Sequence, residues 1–340
     1  MNDTVDAYRA LAQRANTQRS YAQALRHFEQ DWRGLLPATP DTVARYLAET
    51  AAAAAISTLR LRLAALARWH QDHGFADPTR APLVREVMKG IRAAHAAPQK
   101  QAAPLGLEAL EQIVAWLARS QPEGSVAQRR AARDQALVLM GFWRGFRADE
   151  LTRLVIEHVT VEPGVGMTLY LPRSKGDREG AGRTFRVPAL SRLCPVAAYE
   201  CWIQVSGLTR GPVFRAVDRW GHVGTAPLAP GSLIPWLRRL CREAGLPEPE
   251  RYSSHSLRRG FAGWARDSGW DLKQLMDYVG WKDVQSALRY LEGSDAELAA
   301  RFERGLGAPA PVTGQGKPPP AHDEPDLRGP RRSPTLKVVK

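Results

Sequence analysis

The sequence predicts a mostly α-helical protein with a small β-sheet, arranged in two domains. Three observations predict this. Apolar residues recur at helical spacing over most of residues 15–92, and the same period returns from residue 105 onward. Between Val155 and Leu190 that period gives way to two β-like runs, MTLYLPRSK and GRTFRVPAL, separated by the turn-forming GDREGA. Between the two helical parts, AAPQKQAAP (residues 96–104) breaks the periodicity as an interdomain linker does. A chain of 340 residues has ample length for two cores.

In chain order, NTQRSYAQALRHFEQDW places Tyr21, Leu25, Phe28 and Trp32 along one helical face, with Asn16 or Thr17 as its N-cap. TPDTVARYLAETAA starts a second helix, with Thr39 as cap and Pro40 at the first position. ISTLRLRLAALARWHQDHG sets Leu59, Leu63, Leu66 and Trp69 on one side and stops near Gly74. DPTRAPLVREVMKGIRAAH gives a fourth helix, and the four read as a small bundle. Beyond the linker, helical patterns cover Leu107–Ser120 and Ala127–Phe142. After the β-like runs they dominate again from Pro195 to about Arg304. The stretch from Ala308 to Lys340 is rich in Pro, Gly and charge, lacks aromatics, and is expected to be disordered. The sequence contains no internal repeats.

The net charge is +13, with a sequence pI near 10.1. A balance this basic calls for a polyanionic partner, nucleic acid before an anionic membrane. The positive charge is mostly Arg, since only eight residues are Lys, and richness in Arg, Ala, Gly and Pro also fits a GC-rich genome. The opening MNDTVDAYRA has no apolar signal core, and no run of about 18 apolar residues occurs. A cytoplasmic location is therefore expected. Cys194, Cys201 and Cys241 lack C-x-x-C spacing, which argues against a disulfide framework or a zinc site and leaves them as packing residues.

Four short stretches carry the chemistry. SSHSLRR places His255 and Arg258 one turn apart near a helix start capped by Ser253 or Ser254, where free N–H groups and the dipole favour phosphate. GFWRGFRADEL puts Glu150 one turn after Arg147. Lys175, between the two β-like runs, is the only lysine between Lys100 and Lys273, and Lys differs from Arg in being able to give up a proton. In YVGWKDVQSALRYL, Gly280 ends a helix in the left-handed conformation, Trp281 follows, and Asp283 caps a short helix carrying Tyr290. Singly, these are also what a solvated basic helix start, a surface Arg–Glu pair, an exposed turn lysine and a core tyrosine look like. Together, two arginines, a histidine and a lysine around one tyrosine are what phosphodiester transfer through a phenol requires. The phenol, with a free pKa of about 10, needs help to deprotonate. The charge on the phosphate oxygens suits bidentate guanidiniums, and the leaving oxygen needs an acid. That chemistry needs no metal, and the sequence shows no metal-ligand cluster.

Over most of residues 15–306 the chain resembles the tyrosine recombinases, the phage-integrase-type site-specific recombinases. Arg147 within RADEL, Lys175 in the β-hairpin, His255 and Arg258 within HSLR, and Tyr290 match the family's pattern. Trp281, nine residues before Tyr290, stands where many relatives have His. The resemblance implies a helical core-binding (SAM-like) domain over residues 1–95 and a mixed α+β catalytic domain over residues 105–307, forming a clamp on double-stranded DNA. It implies attack by Tyr290 to give a 3′-phosphotyrosyl link and a free 5′-hydroxyl, and two strand exchanges through a four-way junction. It further implies an inverted-repeat site, a dimer per site, a tetramer in the synapse, and neither ATP, metal nor other cofactor. Arg147 and Arg258 would bind the scissile phosphate, Lys175 would be general acid, His255 general base or phosphate donor, Trp281 a packing group and indole donor, and Glu150 a support. The helix in SDAELAARFERG would cross to a neighbouring protomer. A bacterial, nucleoid-associated protein integrating, excising or resolving a mobile element or replicon is expected. Two alternatives are a monomeric enzyme like the type IB topoisomerases and a catalytically dead DNA-binding relative.

Overall fold

The computed structural model describes residues 15–95, 101–119, 126–172, 182–281 and 283–288. Lys175, Tyr290, the SDAELAARFERG segment and the 308–340 tail lie outside the described residues. The chain divides into two compact units, Met1–Gln101 and Ala102–Lys340.

The first unit is helical. It comprises α1 (Ala15–Arg26), continued by a π-helical turn over His27–Asp31, then α2 (Pro40–Thr50), α3 (Ile56–Asp72) and α4 (Pro82–Ala94). Asn16 and Thr17 lie inside α1 instead of capping it, and the Asn16 side chain accepts from Arg19. Thr39 caps α2 as expected: its hydroxyl accepts from the Thr42 N–H (3.2 Å), with Pro40 at the first helical position. The expected apolar faces build the core, in which Phe28, Tyr46, Leu47, Leu59 and Leu66 are fully buried. Trp69 stays half-buried and stacks on His73 and Phe75. His70, buried at the end of α3, bridges two backbone groups. Its Nε2 accepts from the Ala38 N–H (2.9 Å), which leaves Nδ1 to donate to the Leu66 carbonyl (2.8 Å).

The second unit starts with α5 (Leu107–Arg119) and α6 (Val126–Arg144). From Ala131 to Arg144 α6 is buried nearly all round, as a central helix must be. It includes the Arg133–Asp134 ion pair (2.6 Å), to which Arg239 adds a second contact (3.2 Å). A short helix α7 (Ala148–Thr152) leads into an antiparallel sheet of β1 (Val159–Glu162), β2 (Gly166–Leu171) and β3 (Arg183–Pro188), in that spatial order. The register opposes Leu169 to Phe185 and Met167 to Val187, all four buried on the core face. Next come α8 (Pro195–Ser206), a two-stranded hairpin of β4 (Arg215–Val217) and β5 (Val223–Pro227), α9 (Leu233–Glu243), α10 (Ser254–Asp267), α11 (Leu272–Val279) and α12 (Val284–Leu288). The sequence reading anticipated β2 and β3 only. The strands β1, β4 and β5 are three to five residues long and β5 is largely exposed; β1 alternates Val-Thr-Val-Glu but is too short at four residues to stand out. Of the cysteines only Cys241 is fully buried; Cys194 caps α8 through its sulfur and Cys201 is exposed. None of the described helices is long and apolar enough to cross a membrane.

The chain just before α5 is tied into the second unit. The Ala103 N–H donates to the Arg251 carbonyl (3.0 Å) and the Leu105 N–H to the Ser256 carbonyl (3.0 Å). The second bond brings Leu105 hard against Gly260 of α10, where an added Cβ would lie 1.8 Å from the Leu105 carbonyl oxygen. Gly260→Ala is therefore expected to lower stability by about 1–3 kcal/mol, the range for overpacking. Gly263→Ala on the same helix, where nothing lies within 4 Å of an added Cβ, is expected to be neutral or stabilising. Urea unfolding of the two variants, compared at matched slopes, checks the contrast.

Candidate active site

The candidate site is built on the turn between α6 and α7. The backbone leaves α6 at Arg144, turns at Gly145 and enters α7 with Arg147 as its N-cap. Glu150, at the third helical position, accepts from the Arg147 N–H (2.9 Å) with one carboxylate oxygen. Its other oxygen accepts from Arg147 Nη1 (2.7 Å). The Glu150 side chain is 5 % exposed and that of Arg147 26 % exposed, so the carboxylate is the fixed, buried member and the guanidinium the presented one. The surface Arg–Glu pair that the sequence also allowed is excluded by that burial.

Arg258 approaches the same turn from α10. Ser253 caps this helix: its hydroxyl accepts from the His255 N–H (3.2 Å), while its own N–H donates to the Ser256 hydroxyl (2.9 Å). His255 lies in the first turn and is exposed; Arg258, one turn on, is 1 % exposed. Arg258 Nη1 donates to the Gly145 carbonyl, and its guanidinium lies 5.0 Å from the Trp281 ring centroid. Trp281 is itself buried. It is delivered by Gly280, whose left-handed backbone (φ 80°) ends α11, with the Trp281 N–H donating to the Met276 carbonyl (3.0 Å). An added Cβ at Gly280 would also strike the Arg183 guanidinium. Asp283 caps α12 through the Gln285 N–H (3.2 Å). The structure thus joins Arg147 to Glu150, Arg258 to Trp281, and both pairs to one turn. His255 sits on the exposed face of the same helix end as Arg258. Lys175 belongs to the segment between β2 and β3, whose last paired residues are Leu171 and Arg183.

Two arginines that sequence reasoning missed stand beside these groups. Arg144, 4 % exposed, lies 4.2 Å from the Tyr278 ring and 4.7 Å from the Phe185 ring. Burial pushes its pKa down to about 10, so it is charged at neutral pH. Arg183 lies 5.1 Å from the Phe185 ring and donates to the Asp277 carbonyl (2.9 Å); burial lowers its pKa also, against the field of Glu150. Glu150 acts electrostatically on Arg144 and Arg183 as well as bonding Arg147. Three guanidiniums around one carboxylate leave positive charge uncompensated, which suits a phosphate group. In sequence, Arg144 reads as an ordinary basic residue in a last helical turn and Arg183 as a strand residue. Only the burial of Arg144 and the ring and carboxylate neighbours of both set them apart.

Residues 105–297 match the family model described as "Phage integrase family". The chain is 30% identical over 287 residues to an integrase/recombinase xerD homolog of Selenomonas ruminantium, covering 82% of this chain and 81% of that one. It is 26% identical over 298 residues to the recombinase cre of Escherichia phage P1, covering 83% of each. Among solved structures it superposes on the Tn1549 transposon integrase in complex with transposon right end DNA with a TM-score of 0.59, over 87% of this chain and 95% of that one at 15% identity.

Removing the buried carboxylate should disturb the turn before it disturbs the fold. Glu150→Ala is expected to cost about 1–3 kcal/mol, because the Arg147 N–H and guanidinium lose their shared acceptor. Glu150→Gln keeps the oxygen that accepts at the N-cap and should cost less. Chemical denaturation of both variants checks the order; equal losses would mean that charge alone matters at this position.

Proposed function

We propose a residue-level mechanism from one premise: the chain belongs to the phage integrase family, and it is a site-specific tyrosine recombinase acting on DNA. The observation that carries the mechanism is the shared turn. Arg258 donates to the Gly145 carbonyl two residues before Arg147, so two guanidiniums from distant parts of the chain are set at one place. Arg147 and Arg258 hold the non-bridging oxygens of the scissile phosphate, and Glu150 keeps Arg147 in its presented orientation. Tyr290 attacks the phosphorus with its phenolic oxygen, and the phenol proton passes to His255. The bond to the 5′ oxygen breaks as Lys175 gives that oxygen a proton, leaving a 3′-phosphotyrosyl link and a free 5′-hydroxyl. Trp281 supports Arg258 with its ring face and turns its indole N–H to the phosphate. Attack by the 5′-hydroxyl of a second strand reverses the steps and conserves the bond energy. The DNA site is an inverted repeat with one dimer on each copy, and four protomers form the synapse through a four-way junction.

On a nicked suicide substrate, the wild type is expected to accumulate a covalent adduct and, given a second site, to join the cut strand to the partner. Tyr290→Phe should bind the same DNA and form no adduct, because only one hydroxyl is lost. An adduct at wild-type yield would assign the attack to another residue. Joining of nothing but the original ends in the presence of a second site would favour topoisomerase-like action instead.

Lys175 is separable from the phosphate-binding groups by leaving-group chemistry. Lys175→Ala is expected to slow cleavage of ordinary DNA by about 10²–10⁴-fold, the range for general-acid catalysis. With sulfur at the 5′ bridging position the leaving thiolate needs little protonation, and the variant should recover most of its rate. An undiminished defect on the sulfur substrate would make Lys175 a phosphate-positioning group.

A further inference from the structure

The buried guanidinium of Arg144 has no part in the mechanism above, yet it stands at a junction of three elements whose ends lead to residues that do. It is the last residue of α6, three before Arg147. On one side is the Tyr278 ring at 4.2 Å, in the last turn of α11, and on another the Phe185 ring at 4.7 Å, in β3. Its Nε and Nη1 are buried and have no hydrogen-bond partner among the described residues. Two neighbouring bonds tie the same elements together: the Tyr278 hydroxyl donates to the Trp143 carbonyl (2.9 Å), and Arg183 donates to the Asp277 carbonyl (2.9 Å). Beyond Tyr278 the chain runs through Val279 and Gly280 to Trp281 and on toward Tyr290. Ahead of β3 lies the segment that holds Lys175.

A leucine or methionine would fill this space without the cost of desolvating a cation. What a guanidinium adds is a charged plane. Its faces are attracted to the two rings, and Glu150 draws it while Arg183 repels it. Those forces act on the Tyr278 ring together with its hydroxyl bond and the packing of Phe261 and Trp270, at the exit of α11. We propose that Arg144 is a positioning residue: stacked between Phe185 and Tyr278, it sets the α11 exit, and thereby the segment carrying Trp281 and Tyr290, in register with Arg147 and Arg258. The proposal rests on the assignment of those residues to the reaction.

Single-turnover cleavage of a nicked substrate, measured across DNA concentrations, tests it with two variants. Arg144→Met keeps the volume and loses the charge; Arg144→Lys keeps the charge and loses the plane. In Arg144→Met the rate at saturating DNA should fall by about 10–100-fold, as expected for a misplacement of order 1 Å. The half-saturating DNA concentration should stay near that of the wild type. Arg144→Lys should be slowed less. A wild-type rate at saturation in either folded variant, whatever its melting temperature, overturns the proposal, since a mere filler would change stability alone. A loss confined to the half-saturating concentration overturns it too, by making Arg144 a direct phosphate ligand. If Arg144→Met does not fold, Arg144→Lys decides by the same two readouts. Tyr290→Phe run in parallel separates the two levels: an adduct from that variant sinks the nucleophile assignment, while the effect of Arg144 on adduct formation is still read directly.

Discussion

The contact between Arg258 and the Gly145 carbonyl is the constraint on which the rest of the site depends. It joins the end of the central helix α6 to the first turns of α10, two elements far apart in sequence. Once made, it fixes several things together. The turn at Gly145 presents Arg147 and Glu150. The guanidinium of Arg258 lies against the Trp281 ring, which draws the end of α11 inward. The Leu105 N–H, bonded to the Ser256 carbonyl, and the close approach of Leu105 to Gly260 hold α10 from its other side. A buried arginine is expensive to desolvate, and this one is held by a carbonyl and an aromatic face. Its position is over-determined before any DNA arrives.

Electrostatics at the site is lopsided by construction. Glu150 is the buried carboxylate that organises it, and it answers to Arg147 by hydrogen bonds and to Arg144 and Arg183 through its field. The remaining compensation comes from ring faces, Phe185 and Tyr278, which attract cations without carrying charge. Rings of this kind let guanidiniums crowd together without neutralising them. Burial lowers the pKa of Arg144 and of Arg183, and a neighbouring guanidinium adds to the shift in each case. The surplus is local and comes on top of the +13 of the whole chain, which acts at longer range on a polyanion.

Local rules made several features legible in the sequence. The cap at Ser253, the left-handed stop at Gly280, the cap at Asp283 and the Thr39–Pro40 helix start each depend on a few neighbouring residues, and each is found in the structure. Features that depend on distant partners were not legible. The HSLRR stretch reads equally well as a solvated basic helix start; only packing against Gly145 and Trp281 shows that Arg258 is buried. Arg144 and Arg183 carry no local signature, because their meaning comes from Phe185, Tyr278 and Glu150. The β4–β5 hairpin is too short and too exposed for a period to reveal it, and the exposure of Cys201 follows from the packing of α8.

Phosphoryl transfer gains most from charges already in place when the transition state forms, since they need no reorganisation at that moment. Arg258 and Glu150 meet that condition through burial, and Trp281 through packing. His255 sits exposed in the first turn of α10, one turn from Arg258 on the same helix. The division has a physical sense. Groups that bind a phosphate must resist displacement by it, so they are anchored. A group that exchanges a proton must have access to both the incoming and the departing oxygen, so it is better placed at the rim. In the proposed mechanism the end of α10 supplies both kinds within four residues, and the helix dipole favours an anion at that same end.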